Sequence, residues 1–212
     1  MTDKENRKMS INAILTNILR VFIIILAIVL CIEKDYKNMG ILALTMVLTF
    51  YDKIVAKVFK IELEEKLKIA ITLFIFGAQC LGTVLGFYGK FLWWDTMLHT
   101  LSGVIFFFVG ETLLKQISNK EKVKLNNKKI IIIFAVCFAL STGVFWEIFE
   151  FFVDTVFGQN MQVAKGLMGR DAIMDTMIDL ISLVVGTSFI AGLQIFGISK
   201  KKDSLENNES IK

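Results

Sequence analysis

Three short segments of this 212-residue chain carry carboxylates, and one of them an imidazole, at helical spacing inside otherwise apolar sequence. In Trp93-Trp94-Asp95-Thr96-Met97-Leu98-His99, Asp95 and His99 lie four residues apart and share one helix face, which Ser102 and Gly103 continue. His99 is the sole histidine of the chain. In Trp146-Glu147-Ile148-Phe149-Glu150-Phe151-Phe152-Val153-Asp154, the acids Glu147, Glu150 and Asp154 form a second stripe, with Phe149, Phe151, Phe152 and Val153 on the other faces. Asp171, Asp175 and Asp179 make a third, extended by Ser182 and Gly186. Carboxylates near a helix start are favoured by the macrodipole. That accounts for Asp171 and part of Asp175, but Asp179, about two turns in, needs another reason.

An ionisable side chain near the middle of a membrane helix costs about 2.5–3.5 kcal/mol to insert and persists where it faces a partner, water or an ion. Seven carboxylates around one histidine cannot all stay ionised and unpaired in a low dielectric. Either several hold protons or a cation sits among them. Imidazole with carboxylates suits zinc, manganese or iron, whereas carboxylates alone suit magnesium or calcium. The expected centre therefore uses Asp95, His99, Asp154, Asp175 and Asp179 as ligands of a divalent metal ion, zinc or manganese first, with Glu147 or Glu150 as general base. Ser102 is the one candidate nucleophile, and Asp171 lies at the rim. No HExxH, GxSxG or DDxxD signature accompanies them.

The elements that must position these residues follow from composition. The hydrophobic fraction is 55%, charged residues are 21% and proline is absent, while the mean hydropathy is +0.62. Long uncharged runs exclude a soluble enzyme, a disordered protein and a disulfide-stapled domain, and place the chain in a lipid bilayer. The expected fold is all-α: a polytopic bundle of six spans over roughly 13–32, 39–56, 69–88, 91–114, 130–154 and 172–199. The second span is the weakest, because Asp52 and Lys53 interrupt it. With no proline, no broken helix is expected. The apolar runs are continuous and too long for barrel strands. Residues 1–12 and 200–212 read as polar tails flanking a transmembrane domain of 13–199, the second tail disordered. No small-x-small cleavage site follows the first span, and bulky Leu30 spoils the lipoprotein-like run before Cys31, so the span reads as uncleaved. Cys31, Cys80 and Cys137 form no CxxC pair and are expected to be packing residues. Gly77, Gly82, Gly86, Gly103, Gly143, Gly186 and Gly192 are expected where helices approach closely.

Basic residues orient the bundle, since cytoplasmic loops retain Lys and Arg. Of the 24, only Lys34, Lys37, Lys90, Lys165 and Arg170 fall on one side. Both termini should therefore be cytoplasmic, which puts all three acidic stripes at the outer end. At 1.5 Å per residue, His99, Glu147 and Asp179 sit roughly 10–12 Å inside their span ends, with Asp95, Glu150 and Asp175 roughly 5–6 Å in. The Trp93-Trp94 pair marks the interface. The glycine-bearing connection Gly158–Gly169, with Gln159, Asn160 and Gln162, lies beside the mouth and reads as a connecting loop with the option of acting as a lid. A net charge of only +4, with lysines confined to short loops, argues against nucleic acid.

WWDTMLHTLSG, FWEIFEFFVD and DTMIDL, in that order over about Phe87–Gly192, resemble the YjdF-type family of bacterial inner-membrane proteins. Its signature residues fall here on Asp95, His99, Gly103, Trp146, Glu147, Glu150, Asp154, Asp175 and Asp179. The resemblance implies a multi-pass protein of the bacterial cytoplasmic membrane and specifies no activity. Residue chemistry leaves three functions open: a metal-dependent hydrolase or transferase acting on a lipid head group or envelope precursor, a cation- or proton-coupled transporter, and a structural or partner-binding protein. Oligomeric state is not legible. The topology makes a direct prediction: single cysteines placed beside Asp95 and Asp154 react with impermeant reagents from outside, and labelling only from the cytoplasm overturns both orientation and depth.

Overall fold

The computed structural model describes residues 10–209 except 124, 126, 164 and 165, with side chains described as far as residue 199. It is all-helical, with no strand among the described residues. Among the described residues, five helical stretches are long and apolar enough to cross a bilayer: Ile11–Glu33, Glu65–Val84, Trp94–Lys120, Lys128–Phe157 and Asp171–Ser199. The pair Tyr36–Leu48 and Tyr51–Val58, bent by 50°, makes a sixth if taken as one broken span. The chain divides into two compact units, Met1–Trp94 and Asp95–Lys212. The expected N-terminal tail falls on residues 1–9, outside the described residues.

In the first unit, α1 (Ile11–Glu33) starts on Ser10, whose hydroxyl accepts from Ala13 N, and stops where Lys34 turns left-handed at φ 60°. Asp35 caps α2 (Tyr36–Leu48) by accepting from Asn38 N. Arg20 sets the break between α2 and α3 (Tyr51–Val58). Its Nε donates to Thr49 Oγ1 at 2.8 Å and its Nη2 to Thr49 O at 3.0 Å, while the guanidinium lies 4.0 Å from the Phe50 ring centre. The cation thus satisfies backbone freed at a helix end. A broken helix exists here without proline, contrary to expectation. Helix α4 (Glu65–Ile75) continues as a π-helical stretch, Phe76–Val84, in which Leu85 N reaches Cys80 O. Ile23, Leu30, Leu42 and Cys80 form this unit's core. The short α5 (Phe87–Lys90) follows Gly86 at φ 73°, so Gly86 serves a turn rather than a helix contact. A Cβ on Gly82 would meet the Tyr88 ring.

The second unit consists of α6 (Trp94–Lys120), α7 (Lys128–Phe157), a 3-10 turn at Asp171–Ile173 and α8 (Met174–Glu209). Where a tail is expected from residue 200, the backbone stays helical to Glu209; KKKDSLENNE contains neither glycine nor proline to stop it. On α7 the buried positions are Ile131, Ile132, Ala135, Ala139, Gly143, Glu147 and Glu150, and from Ile132 onward they make a single stripe at spacings of three and four. Its apolar half packs with Phe107 and Ala191 into the unit's core, and its last two members are acids. Phe145, Ile148, Phe149, Phe151 and Phe152 stay exposed on the other faces, as lipid contact requires. Cys80 is buried as expected, but Cys31 and Cys137 are exposed.

Glycines bring the three helices together. A Cβ on Gly186 would strike the Thr100 carbonyl oxygen, one on Gly103 the Leu183 carbonyl oxygen, and one on Gly143 the Leu183 side chain. Gly192, by contrast, has nothing within 4 Å. Since a backbone carbonyl on a packed helix cannot swing aside, Gly186→Ala should destabilise the protein by about 1–3 kcal/mol. Gly192→Ala should be neutral or mildly stabilising. Thermal unfolding in detergent distinguishes them, and equal melting temperatures would contradict the α6–α8 approach.

Candidate metal centre

All of the site lies in the second unit. The α6 stripe delivers Asp95 and His99, the buried stripe of α7 delivers Glu147 and Glu150, and α8 delivers Asp175 and Asp179. The His99 imidazole is central. Its Nε2 lies 3.5 Å from Asp95 Oδ1 and 3.8 Å from Asp179 Oδ2, and its Nδ1 lies 3.8 Å from Glu147 Oε1. One ligand atom from each of Asp95, His99 and Asp179 falls within 4.8 Å of the others. Donors 2.0–2.2 Å from one tetrahedral ion stand roughly 3.3–3.6 Å apart, so the His99 separations match that spacing or slightly exceed it.

Burial makes the arrangement unusual. Glu147 is 5% exposed and Asp179 2%. Among the described residues, neither Glu147 oxygen is within hydrogen-bond geometry of a partner, nor is Asp179 Oδ2 or Asp175 Oδ2, although the Thr176 and Gln162 side chains lie near enough to Glu147 to act on it. Among the described residues, no Lys or Arg pairs with any of these carboxylates. Their charges act on one another: Asp179 feels Asp95, Asp175, Glu147 and Glu150 together. An unpaired buried ion is among the costliest features a fold can carry, so these oxygens call for protons or a cation.

The other sequence candidates separate by role. Glu150, 7% exposed, accepts from Trp146 Nε1 at 2.8 Å, which gives Trp146 a positioning task. Asp154 is bonded to the loop: its two oxygens accept from Met161 N at 2.7 Å and Gln162 N at 3.0 Å, while its charge still acts on Asp175. It anchors the chain leaving α7 after Gly158, which caps the helix at φ 64°. Asp171 is exposed in the 3-10 turn, as a helix-start carboxylate would be. Ser102 is buried and its hydroxyl donates to His99 O at 2.8 Å. That bond holds its proton on the backbone of its own helix.

Sequence reasoning did not single out Thr176. Its hydroxyl oxygen lies 2.8 Å from Gln162 Nε2, which also reaches Glu147 O at 3.5 Å. Gln162 therefore ties the loop to both α7 and α8. No spacing rule identifies a threonine of this kind.

A family model described as "Predicted membrane protein (DUF2238)" matches residues 15–200. The chain belongs to that family. An uncharacterised protein of Thermotoga maritima is 31% identical to this DUF2238 chain over 126 residues, which is 59% of each protein. The chain thus spans about three-fifths of that relative's length. No solved structure matches.

The loop anchor yields a prediction. Asp154→Ala removes the acceptor of two amides, so hydrogen exchange at Met161 and Gln162 should accelerate by at least about tenfold. Ion binding at the cluster should be unchanged. Lost ion binding with slow exchange retained would return Asp154 to the ligand set.

Proposed function

We propose that this DUF2238 protein holds a divalent metal ion between Asp95, His99 and Asp179 and uses it on a lipid head group or envelope precursor. The carrying observation is the set of buried carboxylate oxygens without partners around the single imidazole. One imidazole with two carboxylates favours zinc or manganese over calcium. A bound ion would supply a polarised phosphoryl or acyl oxygen and an activated water. Glu150, which accepts from Trp146 Nε1 and feels the charges of Glu147 and Asp95, would serve there as general base. Asp175, with one oxygen unpartnered, adds negative potential that draws a cation in. The distribution of Lys and Arg supports a site facing outward from a bacterial inner membrane with both termini cytoplasmic, and the three motifs support YjdF-type membership.

The competing reading is a cation or proton pathway, because acids inside spans mark such routes. Within the second unit, the cluster is backed by Phe107, Ala135 and Ala139, each 0% exposed. That apolar layer favours a closed site over a path through this unit.

Metal content of the purified protein tests the proposal. About one zinc or manganese per chain is expected in wild type and its loss in His99→Ala. Because carboxylate and imidazole ligands must be deprotonated to bind, loading should fall as pH is lowered and return when pH is raised. With the ion in place, Glu150→Gln should slow head-group hydrolysis by about 10²–10⁴-fold. Metal-free wild type, after exposure to excess zinc and manganese, overturns the reading.

A further inference from the structure

We infer that Glu147 is a positioning residue: it holds the Nδ1 proton of His99 and so presents Nε2 to the ion. The inference rests on the metal reading and assigns a task to the one cluster carboxylate that reading leaves without one.

The two ring nitrogens of His99 face different company. Nε2 has Asp95 Oδ1 and Asp179 Oδ2 beside it, while Nδ1 has Glu147 Oε1. An ion bound with the two aspartates therefore takes Nε2, and the neutral ring then carries its proton on Nδ1. Glu147 has room for that proton: it is 5% exposed and, among the described residues, neither of its oxygens is within hydrogen-bond geometry of a donor, although the Thr176 and Gln162 side chains lie near enough to act on it. Two of the nearby donors are engaged elsewhere. Trp146 Nε1 goes to Glu150, and Gln162 Nε2 makes its shorter bond to Thr176 Oγ1 and reaches the backbone oxygen of Glu147 at 3.5 Å. Ligating histidines commonly give their other nitrogen to a carboxylate, which fixes tautomer and ring orientation. The 3.8 Å between Nδ1 and Oε1 has to shorten by about 1 Å to reach a charge-assisted hydrogen bond. That movement draws α7 toward the ring, so one imidazole links a carboxylate from α7 with two from α6 and α8.

Because the chain has one histidine, ¹⁵N-histidine labelling reports this ring alone. The full-length protein in detergent is loaded with ¹¹³Cd²⁺ and its ring nitrogens are observed by NMR. Expected in wild type is cadmium coupling to Nε2, with Nδ1 protonated. Glu147→Gln, whose amide oxygen can still accept from Nδ1, should keep that pattern. Glu147→Leu should weaken cadmium binding by about 10–100-fold and mix the two ligation modes. Coupling to Nδ1 in wild type overturns the inference while leaving the metal centre standing. So does a Glu147→Leu protein with wild-type affinity and pattern. A wild type that takes up no cadmium, zinc or manganese removes the metal reading and this inference together.

Discussion

A buried carboxylate in a bilayer has no water to fall back on, and the second unit collects several of them around one ring. Asp179 and Glu147 are sealed among three apolar helices and, among the described residues, Asp179 Oδ2 and both Glu147 oxygens lack a donor within hydrogen-bond geometry. The idealised cost of one such charge exceeds what any single packing contact returns. The unit's stability therefore depends on what neutralises the cluster. Breaking a hydrogen bond elsewhere in the fold removes about a kcal/mol, whereas leaving this centre uncompensated removes several. Much of the rest of the unit can be understood as holding those oxygens close enough for one neutralising species to serve them.

Close approach of the backbones does that holding. Side chains larger than hydrogen at 103, 143 or 186 would push α8 away from α6 and α7, and the carboxylates would separate with them. In lipid, helices gain nothing from excluding water from each other, so such glycine contacts and the van der Waals packing they permit are what keep the bundle together. On the far side of the cluster from the loop lies the Phe107–Ala139–Ala191 core, apolar apart from the neighbouring buried hydroxyl of Thr187. An ion entering beside Asp154 and Gln162 would meet oxygen ligands and then a wall. In the proposed centre this is an advantage, since a closed end keeps the ion with its ligands.

The stripes are legible from residue spacing alone. Asp95 with His99, Glu147 with Glu150, and Asp175 with Asp179 each sit one helical turn apart, and inside apolar sequence that period has few other meanings. Spacing does not rank the members within a stripe. Asp154 continues the Glu147–Glu150 row, yet it lies where α7 ends, and loop amides in need of acceptors claim it first. Ser102 continues the His99 face, but a serine inside a helix bonds its own carbonyls readily, and here it does. The bend after Leu48 shows in the sequence only as a weak span, because its cause is Arg20, a residue 29 positions distant from Thr49. The π-helical turns of Phe76–Val84 leave no mark in hydropathy, which averages over them.

The one-histidine composition has a consequence for how such a centre can be built. With several imidazoles a fold can ligate an ion through neutral groups and needs little charge. With one, at least two anionic ligands must make up the set, and their mutual repulsion must be tolerated until the ion arrives. Spreading the acids over three helices suits the proposed centre, because each helix then carries only part of the charge through its own insertion into the membrane. It also makes the ring's orientation decisive, because a turned imidazole leaves Asp95 and Asp179 with no neutral ligand between them. A carboxylate behind Nδ1 removes that freedom, and Glu147 is the residue that α7 delivers there.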